Sequence, residues 1–154
     1  MAQFTGNQAA FTPSTTADNW VLDANAAGEV GYVKWFGWGG RGTTSTGYRT
    51  RWARPTTNAS STFTTLTPQS TRTGPAATLQ FGTFATNATL GTDPGNNLFA
   101  IDWNVLGGGG QIVLPIGGEW TVVSSATAGH QQIACRNVAG VDANQSSYNV
   151  TWEE

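Results

Sequence analysis

His130 and Cys135 are the only histidine and the only cysteine in the chain, and a Cys–His pair is the arrangement that turns a thiol into a nucleophile. Their spacing of five residues puts them on opposite faces of a strand, and no third residue is placed to orient the imidazole. His130 instead follows Gly129 at a turn, and Cys135 is expected as a small buried apolar residue. One His and one Cys fall short of the three or four ligands a zinc site needs. Asp102 and Glu119 lie on different predicted strands and could face each other as a glycosidase-like carboxylate pair, but two acids meeting across strands is ordinary. The run Asp93-Pro94-Gly95-Asn96 has too few carboxylates for a calcium loop, and a turn accounts for it. Gly107 to Gly110 lack the lysine and the strand-to-helix setting of a phosphate cradle, which leaves a hairpin or bulged link. No reaction centre is predicted. The expectation is a protein that is not an enzyme and uses no cofactor and no metal.

The residues that stand out are of another kind. Residues 29–55, EVGYVKWFGWGGRGTTSTGYRTRWARP, hold three of the seven Trp, two of the three Tyr and five of the seven Lys and Arg. They are expected as two strands joined by a Gly/Thr/Ser loop. On the first, Tyr32, Lys34, Phe36 and Trp38 share one face, and Val33 and Trp35 the other. On the second, Tyr48, Thr50, Trp52 and Arg54 face one way, and Arg49, Arg51 and Ala53 the other. Tyr, Trp and Arg are enriched at protein–protein hot spots because they join large buried area to directed hydrogen bonds. Trp38, Arg41, Arg49, Arg51 and Arg54 are therefore candidate partner contacts. The alternatives are that the rings fill the core with Arg49 and Arg51 solvated outside, or that Trp35, Trp38 or Trp52 forms a platform on which sugars stack. A strand apolar on both faces must be covered on both, by its own fold or by another chain.

The elements that carry these residues follow from composition. Only 10% of the 154 residues are charged, against roughly 25% in ordinary soluble domains. In their place stand 24 Thr, 9 Ser and 20 Gly, types that favour pleated surfaces and turns. No amphipathic helical pattern runs longer than about three turns. A surface so poor in charge invites association. The net charge of −2 hides a split: residues 30–92 carry six cations and no acid, and the rest carry nine acids and Arg136 alone. Either folding intermixes the two sets, pairing Glu119, Asp102 or Glu153 with arginines, or one surface is basic and another acidic. Six scattered cations make a poor phosphate track, so nucleic acid is not an expected partner. The start MAQFTGNQ has neither a basic nor an apolar signal region, and no apolar run approaches 18 residues. The expectation is no signal peptide, no membrane span and assembly in the cytoplasm.

Along the chain, residues 1–19 are expected as a polar N-terminal arm, either disordered or laid across a neighbouring subunit, with Phe4 and Phe11 as isolated apolar anchors that favour docking. Residues 20–154 are expected as a single all-β domain. Short strands are predicted around residues 63–66, 79–84, 111–116, 119–125, 131–138 and 147–152, and residues 98–106 are the best candidate for a central strand. About eight to ten short strands with turns every 8 to 15 residues indicate a jelly-roll-like β-sandwich rather than a βαβ fold.

The stretches YRTRWARP, IDWNVLGGGGQIVLPIGGEWTVV, HQQIACRNVAG and SSYNVTWEE resemble a family of small tailed-bacteriophage virion proteins, the capsid decoration or cement proteins. The likeness spans residues 29–154 and lies in structural features: a Gly-rich turn before a short apolar strand, a GGEW strand start, and a last strand ending in Trp152-Glu153-Glu154. It implies a jelly-roll-like sandwich, often trimeric, bound outside a capsid shell, with no catalytic residues to carry over. The expected function is that of a non-enzymatic virion structural protein binding capsid subunits or other virion proteins and its own copies. The alternative is a carbohydrate- or receptor-binding sandwich module of a phage tail or fibre.

Overall fold

The structure is a computed structural model that describes all residues except 12, 13, 41, 72, 73, 75, 126, 128 and 140–145, and only the backbone of residues 9–11. Twelve strands form among the described residues: β1 (Gln3–Phe11), β2 (Asp18–Asp23), β3 (Val30–Gly40), β4 (Gly47–Ala53), β5 (Phe63–Thr65), β6 (Gln69–Ser70), β7 (Gln80–Phe84), β8 (Asn97–Asn104), β9 (Gly109–Val113), β10 (Trp120–Val123), β11 (Gln132–Ala139) and β12 (Ser146–Glu153). They make two antiparallel sheets. The first has the order β10-β3-β12-β1-β6, with β9 also on β3, and the second the order β5-β7-β2-β11-β4-β8.

The order has a simple generator. Strand β1 and β12 pair or lie in matching places, as do β2 with β11, β3 with β9 and β10, and β4 with β8. A chain folded back on itself into one long hairpin and then rolled up gives these nested pairs. The roll closes through β3 against β12 and β4 against β11. The nested pairs leave two sheets, β1-β12-β3-β9/β10 and β2-β11-β4-β8, which is the eight-stranded jelly roll. The short strands β5, β6 and β7 are extra, inserted between β4 and β8. The expected all-β sandwich is present, with twelve strands where eight to ten were expected.

The space between the sheets is filled by rings. Trp20, Phe36, Trp52, Phe81, Tyr148 and Trp152 are fully buried there, joined by Phe36–Trp52 at 4.8 Å and Phe36–Trp120 at 4.5 Å between centroids. A second, smaller core lies on the far side of the second sheet, where Ala59, Phe84, Ala88 and Leu90 cover Val21, Ala53 and Ala134. Polar groups inside the main core are concentrated at Asn137 on β11. Its Oδ1 accepts from Asn19 Nδ2 at 3.1 Å, Thr50 Oγ1 at 2.9 Å and Tyr148 Oη at 2.6 Å. Trp103 Nε1 donates to the same Thr50 hydroxyl at 2.9 Å. Tyr148 belongs to the first sheet and the others to the second, so this cluster pins one sheet to the other.

Three placements differ from the sequence expectation. Of residues 98–106, expected as a central strand, 98–104 lie on β8 at the edge of the second sheet, because among the described residues β8 pairs only with β4. Its inward face is nonetheless Phe99, Ile101 and Trp103 as alternation requires. On β3, Phe36 and Trp38 do not share a face with Tyr32 and Lys34. Thr151 pairs with Trp35 and Trp152 with Val33, which leaves Lys34 as the extra residue of a bulge. The bulge resets the two-residue alternation, so that Val33, Phe36 and Trp38 all reach the core. Finally, residues 3–11 of the expected N-terminal arm run as β1, paired with β12 from Gln3 to Gln8.

Candidate interaction surface

Of the aromatic and basic residues singled out from the sequence, Phe4 sits on β1, Trp38 on β3, Arg49 and Arg51 on β4 and Arg54 just after it, and most are used within the chain. Phe4 is 1% exposed and stacks on Trp152 at 5.9 Å. It is a core residue here, because β1 is a strand of the first sheet. Trp38 is half-buried, with Trp52 at 5.6 Å and Phe99 at 6.1 Å. Arg41 and the side chain of Phe11 lie outside the described residues.

Arg51 on β4 and Arg54 just after it are anchors for loops that fold against the chain. Arg51 is 4% exposed. Its guanidinium donates to Asn97 Oδ1 and to the carbonyls of Thr92 at 3.1 Å and Gly91 at 3.4 Å. Arg54 donates to the carbonyls of Thr121 at 2.7 Å and Gly129 at 2.8 Å. Burial lowers the proton affinity of both guanidinium groups, and a guanidinium stays charged regardless. Arg49 reaches Asp93 and Asp102, each at 2.8 Å. The Arg49 hydrogen bonds hold the Asp93 carboxyl down at about 2. On β11, Arg136 does the same work with Asp18 at 2.7 Å and the Ala88 carbonyl at 2.6 Å. Lys34 bridges Glu119 at 3.0 Å and Glu153 at 3.1 Å. Of the two outcomes open from the charge split, folding intermixes the sets: Asp102 meets an arginine as expected, while Glu119 and Glu153 meet Lys34.

The groups first considered for chemistry are dispersed. His130 is exposed at the turn after Gly129, whose φ is +82°, and Cys135 is buried with its thiol pushed well up by burial. Asp102 and Glu119 are bound to different cations on different sheets. Among the described residues no group of three His, Cys, Asp or Glu is placed to hold a metal ion, and no helix is long and apolar enough to cross a membrane.

Among the described residues, Asp23 is the buried acid without a cation. It accepts from Gln131 Nε2 at 3.0 Å, and burial raises its pKa against the opposing amides of Gln131 and Gln132. A raised carboxyl holds its proton to higher pH when folded than unfolded. Its contribution is therefore favourable below the unfolded value, roughly 3.9, and is lost as pH rises through the folded value. Asp23→Asn removes that cost at neutral pH. It is expected to raise Tm at pH 7.5 by about 2–4 °C, the equivalent of about 1 kcal/mol at this size, with the gain gone by pH 4. Thermal melts at the two pH values check this, and a lower Tm at pH 7.5 contradicts it.

Comparison with family models, with curated proteins and with solved structures finds no match for this chain. Nothing outside the molecule marks its working surface.

One surface marks itself. The exposed large apolar side chains among the described residues are Met1, Leu106 at 55%, Val113 at 68% and Ile116 at 98%. Three of the four belong to β9 and its flanking loops. Residues 103–118 contain no charged side chain. Strand β9 lies along the free edge of β3, beside Trp35 to Gly39, and β10 continues that edge beside Val30 to Val33. Leu114 N–H donates inward to the Lys34 carbonyl at 2.8 Å, and the Gly108 carbonyl accepts from Gly40 N–H at 3.1 Å. Antiparallel alternation then aims the N–H and C=O groups of Gly109, Gln111 and Val113 outward, where no described strand pairs with them. Gly110 is required by the inner side, since a Cβ there would lie 2.7 Å from the Trp38 ring. The turn at residues 105–107 and the short strand β9 follow the link and short strand expected from the glycine run and IVLPI; the signal for an open edge is the absence of charge over residues 103–118.

Proposed function

We propose that this chain is a non-enzymatic structural protein of a bacteriophage virion, a capsid decoration protein that binds capsid subunits and its own copies. The observation that carries the reading is the bare, charge-free edge of β9 with Leu106, Val113 and Ile116 exposed around it. Soluble chains guard such edges with lysine, proline, bulges or a covering loop, because an open row of peptide groups pairs with other chains. An edge left unguarded in a chain with so few surface charges suits a protein that works assembled. The resemblance drawn from the sequence runs through this same stretch, IDWNVLGGGGQIVLPIGGEWTVV. The anchoring arginines and buried rings supply the rigid support, and the contact lies at the edge.

The test is sedimentation with shells assembled from the major capsid protein of the source phage. The purified protein is expected to travel with the shells. Recovery only at the top of the gradient, at all ratios tested, overturns the reading.

A second reading has one observation in its favour. Trp35 is half-buried and stands apart from the core, next to Val113 and Thr151 on the outer face of the first sheet. It is the one of the three candidate tryptophans that could stack on a sugar, since Trp52 is fully buried and Trp38 packs inward. A fluorescence quench on titrating a glycan panel, lost in Trp35→Ala, would support a receptor-binding module instead.

A further inference from the structure

We propose that β9 pairs with β9 of a second copy of this chain, antiparallel about a two-fold axis at Gln111, so that the two first sheets become one continuous sheet. The inference rests on the self-association in the reading above and gives it a place and a symmetry.

Four features of the edge carry it. First, the outward peptide groups belong to Gly109, Gln111 and Val113. A two-fold axis at Gln111 sets Gln111 opposite itself and Val113 opposite the partner's Gly109. Outward groups then meet outward groups, giving about six hydrogen bonds in ordinary antiparallel pairing. A register shifted by one residue would set outward groups against inward ones.

Second, the side chains fit that register. Val113 is the exposed large apolar residue of β9, and it falls opposite a residue without a side chain. Continuing the register past the strand ends brings Ile116 level with the partner's Leu106. The three exposed large apolar residues of this edge are thus either matched to each other or matched to glycine.

Third, the two copies bring no charge to the seam, because residues 103–118 have none. Bringing a surface against itself doubles any charge it carries, and like charges set opposite each other across strands are destabilising. A neutral edge is the kind a two-fold axis tolerates.

Fourth, the other sheet edges are poor seams. Strands β5 and β6 are three and two residues long, and β8 carries Asp102 with its side chain 72% exposed. Pairing through β9 is two-fold, and so differs from the three-fold arrangement the family resemblance implies.

Cross-linking tests the register directly. In a hydrogen-bonded antiparallel pair, facing Cα atoms are about 5.5 Å apart, within the range a disulfide spans. Gln111→Cys is expected to form a disulfide-linked dimer under mild oxidation, while Thr44→Cys, on an exposed loop, stays unlinked. The native Cys135 is buried and free, so it does not compete. In sedimentation velocity at tens of micromolar, the native chain is expected to run as a dimer of its 16.2 kDa subunit. Val113→Lys should run as a monomer with an unchanged circular dichroism spectrum and Tm, its dimer dissociation constant raised at least tenfold. A native monomer, a three-chain species indifferent to Val113→Lys, or equal cross-linking at residues 111 and 44 overturns the pairing. A monomer that still travels with capsid shells overturns the pairing alone, and a dimer that ignores the shells removes the virion reading alone.

Discussion

Trp52→Ala is expected to cost about 3–5 kcal/mol, the usual range for deleting a large aromatic from a packed core. That is a large part of the roughly 5–15 kcal/mol that holds a domain folded. Trp52 is fully buried at the centre of the ring cluster, with Phe36 at 4.8 Å, Trp38 at 5.6 Å, Phe99 at 5.7 Å and Tyr148 at 6.3 Å. These neighbours come from three strands in both sheets, so no single segment can collapse into the space left behind. Two comparisons separate the cavity from other effects. Trp52→Phe is expected to be milder, because it keeps most of the ring and removes an indole N–H that has no acceptor among the described residues. Trp35→Ala, outside the core cluster, is expected to cost under about 1 kcal/mol, as surface changes do. Urea titration of the three variants checks the order, and a Trp35→Ala loss equal to that of Trp52→Ala would contradict the assignment of faces on β3.

Asn137→Ala is the second large effect, expected at about 3 kcal/mol. The substitution strands three donors at once, the Asn19 amide and the Thr50 and Tyr148 hydroxyls, and a buried group left without its partner costs about 1–3 kcal/mol. Thr50 and Tyr148 remain 3.1 Å apart and can bond each other, which is why the costs do not simply add. Tyr148→Phe removes one member from the other sheet and is expected to cost about 1–1.5 kcal/mol. The double variant separates the network from its parts: a cost well below the sum of the single ones shows coupling through Asn137. Additive losses would show that the polar cluster does not join the sheets.

The fold class was readable because its signal is local. Alternation on β4 put Tyr48, Thr50 and Trp52 on one face and Arg49, Arg51 and Ala53 on the other; the first lines the main core, while Arg51 and Ala53 are buried on the far side, and alternation on β8 gave its inner face. The Asp93–Asn96 turn was marked by its own residue types. What failed was non-local. A bulge at Lys34 is set by the register of β12, more than a hundred residues away, and nothing within β3 announces it. Strand order is decided by pairing, so an apolar strand such as β8 looks central until its one partner is known. Arg51 and Arg54 are candidate partner contacts by residue type, since arginine is enriched at hot spots, and the structure shows them engaged within the chain. Their partners are backbone carbonyls of loops 30 to 80 positions away, which carry no side-chain signature. The β9 edge was the reverse case, a signal made of absences: no charge over residues 103–118 and no proline within the strand itself.

Hydrogen exchange at single amides of β9 tests most directly where this chain meets other protein, comparing the dilute chain with the chain assembled on itself or on capsid shells. The Gly109, Gln111 and Val113 amides are predicted to exchange quickly when dilute and to slow at least tenfold on assembly, while those of Tyr48 to Ala53 are slow in both states. Fast exchange at all three in the assembled protein, with protection appearing instead over Tyr32 to Trp35 or along β8, would contradict the account.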